Sequence, residues 1–274
     1  MKKNYSKQEN FMKKHINGYD MAYTDAGSGP PLVFIHGFPL NRRMWQPQVD
    51  EFRETHRVIA PDLRGHGESQ AVIGLYSMDL YAGDIIALLD HLKIEEKIVL
   101  CGLSMGGYIC FELIRNFPDR LAGLVLTATW AKPDSMEKRA GRDQSASNVL
   151  QNGIEPLAEG MLPLLLSPET GQSNPGLVSE VSDILNSTSV EGTVGALQAM
   201  RDRPDSTPIL SEINLPTLVI HGADDKIIPF EEAEKMAAQI PECRLFKIDH
   251  ASHLPNLERP AEFNSAFSGL LQTL

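Results

Sequence analysis

Between residues 19 and 129, short and near-continuous apolar runs alternate with helical stretches. The runs are "MAYTDAG", "PLVFIHG" (31–37), "HRVIAPD" (56–62), "KIVLCG" (97–102) and "LAGLVLTAT" (121–129). A strand that is apolar on both sides needs cover on both faces, so runs of this kind separated by helices imply a parallel, doubly wound sheet. Asn17-Gly18, ahead of the first run, predicts a type I′ hairpin and hence an antiparallel edge at the start. The alternation then stops. From Trp130 to about Leu210 no strand-like run appears, and Pro and Gly divide the segment into helical pieces such as "EPLAEGMLPLLL", "PGLVSEVSDILN" and "VGALQAMRDR". Strands resume with "LPTLVIHG" (215–222) and "CRLFKIDH" (243–250), and "PAEFNSAFSGLLQTL" closes the chain as an amphipathic helix. The expected architecture is an α/β core made of residues 1–129 and 211–274, with a helical lid, 130–210, inserted between two halves of one mostly parallel sheet. Residues 1–12 read as a loose tail.

This layout predicts where chemistry sits, because ligands of open parallel sheets bind outside the carboxyl ends of the strands. Four strands end in polar clusters: His36-Gly37-Phe38-Pro39 after "PLVFI", Gly102-Leu103-Ser104-Met105-Gly106-Gly107 after "KIVLC", His221-Gly222-Ala223-Asp224-Asp225 after "TLVI", and Asp249-His250-Ala251-Ser252-His253 after "RLFKI". All four fall at the same sheet edge. A serine hydroxyl is a poor nucleophile unless a base lies within hydrogen-bond reach and is itself oriented by an acid. Serine, acid and base occur here in that chain order.

The motifs "HGFP", "PDLRGHGES", "GLSMGG", "HGADDKIIP" and "SHLPNLERPAEFN" together resemble the α/β-hydrolase superfamily, whose triad runs Ser, then Asp or Glu, then His. The resemblance extends from about Tyr19 to the C-terminal helix and is greatest to the group of 3-oxoadipate enol-lactonases and bacterial carboxylesterases. It implies an α/β-hydrolase fold with Ser104 as nucleophile on a tight strand-to-helix turn. His253, followed by "LPNLERP", matches the family's base, with His250 as the alternative. The G-x-x-D-x-x-x-P pattern from Gly222 to Pro229 selects Asp225 as the acid, with Asp224 as the alternative. The backbone N–H groups of Phe38 and Met105 are the expected oxyanion hole. His36, Asp62, Arg64, His66 and His221 read as loop-ordering groups.

The lid covers the strand ends and is expected to set specificity. Phe38, Trp130 and Leu166 are candidate substrate contacts, and Met161, Leu162, Leu165 and Met200 are further candidates for an apolar ceiling. Arg201 and Arg203 in "MRDRPDS" bear on whether the substrate carries a remote carboxylate. For Arg203 a pairing with Asp202 or Asp205 that holds lid to core is the preferred reading.

Composition narrows the partners. With 25 Lys+Arg against 36 Asp+Glu the net charge is -11, which repels phosphate backbones and anionic membrane surfaces. No segment approaches a membrane span, and no apolar stretch follows the basic N-terminus as a signal peptide requires. Three cysteines without CxxC spacing suggest neither a disulfide framework nor a zinc site. The expectation is a cytoplasmic, cofactor-free serine hydrolase without a metal, a monomer or small homo-oligomer, acting on small, largely apolar carboxylic esters. Enol-lactone hydrolysis is the nearest alternative, followed by perhydrolysis and by a ligand receptor that keeps the triad without turnover. Epoxide hydrolases and haloalkane dehalogenases of this fold place Asp where Ser104 stands. Hydroxynitrile lyases have Lys where Leu254 stands.

Overall fold

The computed structural model describes residues 11–274. An N-terminal hairpin pairs β1 (Phe11–Ile16) with β2 (Tyr19–Ala26), turning through Asn17 and Gly18, both at positive φ as a type I′ turn requires. Of the tail expected over residues 1–12, residues 1–10 lie outside the described residues, and Phe11 and Met12 are the first two residues of β1. The core continues through β3 (Pro31–Ile35), α1 (Gln46–Phe52), β4 (Arg57–Pro61), α2 (Met78–His91), β5 (Ile98–Leu103), α3 (Met105–Asn116) and β6 (Leu121–Thr127). Five helices follow: α4 (Met136–Asn152), α5 (Glu155–Leu165), α6 (Pro168–Ser173), α7 (Pro175–Asn186) and α8 (Val190–Asp202). The sheet then resumes with β7 (Thr217–Gly222), α9 (Phe230–Ala237), β8 (Cys243–Ile248), α10 (Pro255–Glu258) and α11 (Pro260–Leu271).

The eight strands form one sheet in the order β1-β2-β4-β3-β5-β6-β7-β8. Among the described residues the β1–β2 and β2–β4 pairings are antiparallel and the others parallel. This is the α/β-hydrolase architecture expected from the sequence, with its antiparallel edge at the start.

Strand alternation divides the core between two faces. In β3, Val33 and Ile35 pack with Tyr81 and Ile85 of α2 and Ile109 of α3. Leu32 and Phe34 face the other way, against Trp45, Phe52 of α1, and Phe263 and Phe267 of α11. Both faces are therefore covered, which is why these strands are apolar at every position rather than at every second one. Helix starts are set locally: Ser77, Ser135, Ser167, Asn174 and Ser189 each accept a backbone N–H from their own first turn. Among the described residues no helix is long and apolar enough to cross a membrane.

The helical insertion is fixed to the core at one especially close point. A Cβ on Gly65, in the "PDLRGHGES" loop, would collide with the backbone of Gly192 in α8, and the reverse also holds. Ser189 reinforces this junction, its N–H and hydroxyl both donating to the Gly65 carbonyl at 3.2 and 2.9 Å.

Candidate active site

Ser104 joins the end of β5 to the start of α3 with φ 53° and ψ -112°, a left-handed conformation that a residue with a Cβ adopts only under constraint. The constraints are visible. Ser104 N–H donates to the Thr127 carbonyl at 2.9 Å, while the Ser104 carbonyl accepts from Gly107 N–H at 2.9 Å and from the Thr129 hydroxyl at 2.8 Å. Glycine is required on either side of the turn because strand and helix almost touch: a Cβ on Gly102 would clash with the Gly106 carbonyl, and one on Gly106 with the Ile35 carbonyl. The hydroxyl of Ser104 is thereby held at the N-terminus of a 12-residue helix, where free N–H groups and the helix dipole favour developing negative charge.

The acid turn follows β7. Asp225 Oδ1 accepts from the N–H groups of Ile227 at 2.8 Å and Ile228 at 3.1 Å, so the side chain closes its own turn. Its Oδ2 lies 2.8 Å from His253 Nδ1 and 3.2 Å from His221 Nε2. Burial acts to raise the Asp225 carboxyl, but the His253 charge and hydrogen bonds from His221 and His253 outweigh it and hold the group well below the usual carboxylate range. Asp224 is exposed. His250 is also exposed, with its Nδ1 3.3 Å from Glu169. Of the paired alternatives, Asp225 and His253 are the two brought together.

Ser104 and His253 line one cavity of about 70 Å³, together with Phe38, Tyr108, Trp130 and Met161. Among the described residues Ser104 and His253 share no hydrogen bond to each other. They face a common space, and bonds of this kind are often long or poorly aligned without a bound ligand. Neither Phe38 N–H nor Met105 N–H donates to a backbone carbonyl among the described residues. Phe38 and Trp130 border the cavity, but Leu166 does not. It is buried at the end of α5 with Leu165, in the core layer that also holds Leu254 and Phe263. A sequence period marks Leu166 as inward-facing without saying which apolar layer it joins.

The arginines have partners that sequence proximity does not suggest. Arg203 is buried and forms an ion pair with Asp134 at 2.8 Å, rather than with the neighbouring Asp202 or Asp205. Its guanidinium also donates to the carbonyls of Met200 and Lys132 at 2.7 and 2.8 Å and lies over the Tyr108 ring. Arg201 pairs with Asp202 and Asp143, both at 2.6 Å. The cations that reach the cavity are Lys138 and Arg142 of α4. Arg142 Nε is 2.7 Å from Asp134, and Lys138 Nζ lies 3.7 Å from the centre of the Trp130 ring. Helix α4 is polar almost throughout, so nothing in its pattern distinguishes these two from solvent-facing residues.

The other polar groups order loops. His36 accepts from Leu63 N–H at Nε2 and has Nδ1 2.9 Å from the Gly37 carbonyl, which ties the loop after β3 to the loop after β4. Asp62 pairs with Arg42, and Arg64 makes a two-pronged bond to Asp84 at 2.7 and 2.6 Å. Burial pushes His66 down to about 4. Glu258 was not singled out by its sequence, yet it accepts from Ser252 N–H at 2.6 Å and Ser167 N–H at 2.7 Å. It thus links the His253 loop to the helical insertion.

A family model described as alpha/beta hydrolase fold matches residues 30–260. The chain is 32% identical over 264 residues to 3-oxoadipate enol-lactonase 2 of Acinetobacter baylyi, covering 95% of this chain and 97% of the relative. Among solved structures, a thermophilic esterase from Thermogutta terrifontis with malate bound superposes with a TM-score of 0.93 at 40% identity, covering 96% of this chain and 98% of the other. The enol-lactonase from Burkholderia xenovorans LB400 gives 0.89 at 29% identity, covering 95% and 100%. Because the matched span takes in the strained turn at Ser104, the Asp225 turn and the His253 loop, likeness in sequence and in fold meet at the same residues, and the chain belongs to the alpha/beta hydrolase family.

Proposed function

We propose that the protein hydrolyses carboxylic esters through an acyl-enzyme, with Ser104 as nucleophile, His253 as general base and Asp225 as its partner. The observation that carries this reading is the strained placement of Ser104 on a helix N-terminus, in a cavity shared with a histidine whose far nitrogen is bound to a buried carboxylate. Ser104 Oγ attacks the ester carbonyl carbon while His253 Nε2 takes the hydroxyl proton, and the resulting oxyanion accepts from Phe38 and Met105 N–H. Collapse breaks the carbon–oxygen bond to the alcohol, which leaves with the proton returned by His253. Water then attacks the acyl group as His253 accepts its proton; the second collapse releases the acid and restores the Ser104 hydroxyl. Asp225, held ionised by its neighbours, fixes the imidazole with its proton on Nδ1 and stabilises the imidazolium. The test is steady turnover of p-nitrophenyl acetate by the wild type and its loss in a folded Ser104→Ala variant. Unchanged turnover in that variant contradicts the reading.

A second reading is favoured by Lys138 and Arg142. An acidic chain that borders its reactive serine's cavity with Lys138 and with Arg142, the latter already paired with Asp134, suits a lactone or half-ester with a remote carboxylate. The enol-lactonase relatives and the dicarboxylate bound to the Thermogutta esterase support this reading. Here monomethyl succinate is cleaved in preference to methyl butyrate, and Lys138→Met reduces that preference. Equal rates for the two esters in the wild type exclude it.

A further inference from the structure

A second and larger cavity adjoins the one at Ser104. It measures about 300 Å³ and lies between α4 and α5, lined by Ser145, Asn148, Val149, Leu157, Gly160 and Met161 among others. Met161 borders both spaces. The α4 residues follow one stripe of that helix: Lys138 and Arg142 face the first cavity, and Ser145 and Val149, continuing at the same helical spacing, face the second. Both cavities therefore lie along one stripe of α4, and Met161 of α5 stands between them.

Size and chemistry indicate what this second space holds. At about 70 Å³ the catalytic cavity is smaller than the range of roughly 300–1,000 Å³ usual for ligand sites, whereas its neighbour reaches that range. Among the described residues no charged one lines the second cavity; its apolar wall is Val149, Pro156, Leu157 and Met161. Gly160 sits inside α5, where glycine weakens a helix, yet no atom outside the neighbouring backbone of its own helix lies within 4 Å of where its Cβ would stand. No close packing demands glycine there, and its missing side chain leaves the cavity larger. Methionine at the junction is unbranched and flexible, suited to swinging aside.

Building on the reading of Ser104 as an ester nucleophile, we propose that the cavity between α4 and α5 is a subsite for a linear aliphatic chain of the substrate. Met161 is the divider that sets how much of the chain enters. The test compares kcat/KM for p-nitrophenyl octanoate against p-nitrophenyl acetate, and for octyl acetate against methyl acetate, in the wild type, Met161→Ala and Gly160→Leu. Met161→Ala is expected to raise the long-to-short ratio about tenfold and Gly160→Leu to lower it by a similar factor. The acyl pair responds if the chain enters from the acid side, and the alkyl pair if it enters from the alcohol side. Gly160→Leu replaces glycine with a strong helix former, so its Tm should be no lower than that of the wild type, separating cavity filling from misfolding. Both ratios staying within about twofold of wild type in both folded variants, with p-nitrophenyl acetate still cleaved, overturns the subsite. A wild-type protein that cleaves no p-nitrophenyl acetate overturns the ester reading instead.

Discussion

Asp225 Oδ2 stands 2.8 Å from His253 Nδ1, and both side chains are buried. An ionised carboxylate can only accept, so Nδ1 carries the proton and Nε2 is the ring nitrogen left with a lone pair. The same carboxylate takes two backbone N–H bonds through its other oxygen, so its orientation is fixed before any substrate arrives.

Removing that charge without removing the shape isolates its role. Asp225→Asn is expected to lower kcat by a factor on the order of 10³ to 10⁴, because the amide leaves the imidazole in the wrong tautomer. Asp224→Asn alters an exposed group with no ion pair to a histidine among the described residues and is expected to stay within about twofold. Steady-state kinetics on both variants separates the two aspartates.

The buried histidines give stability a pH dependence. His66 is fully buried and pushed down to about 4 by desolvation, and His36 is held well below its ordinary value by burial and by His66. Between that value and about 6.5 the unfolded chain binds protons that the folded chain refuses. Stability is therefore fully present above about 6.5 and is lost as pH falls towards 4. Urea midpoints should drop across this window, and less steeply in His66→Asn; identical slopes would contradict the assignment.

Arg203 ties the helical insertion to the residues that follow β6. Its partners Lys132 and Asp134 precede α4 while Met200 lies in the last turn of α8, and Asp134 shares its charge with Arg142. Arg203→Met is expected to cost about 3 kcal/mol, as breaking a buried pair from one side does. Urea unfolding at pH 7 measures this.

Much of the account was legible in the sequence because a parallel sheet collects its strand ends at one edge. Ser104, Asp225 and His253 each follow an apolar run, so the run locates the residue and the topology brings the residues together. Three features escaped for a common reason. Arg203 pairs with Asp134, far back along the chain, His221 shares a carboxylate with His253 through the pairing of β7 with β8, and Lys138 and Arg142 reach the cavity from a polar helix. Each depends on how separate elements are oriented, which composition and period do not encode. Leu166 shows the converse: its apolar character was plain, but the layer it packs into was set by the helices around it.

Covalent labelling decides whether Ser104 is an activated nucleophile. A fluorophosphonate should inactivate the protein with one equivalent bound, and peptide mapping by mass spectrometry should place the label on Ser104, with none taken up by Ser104→Ala or His253→Ala. Inactivation with the label on another residue, or ester turnover that persists in the fully labelled protein, would contradict the account.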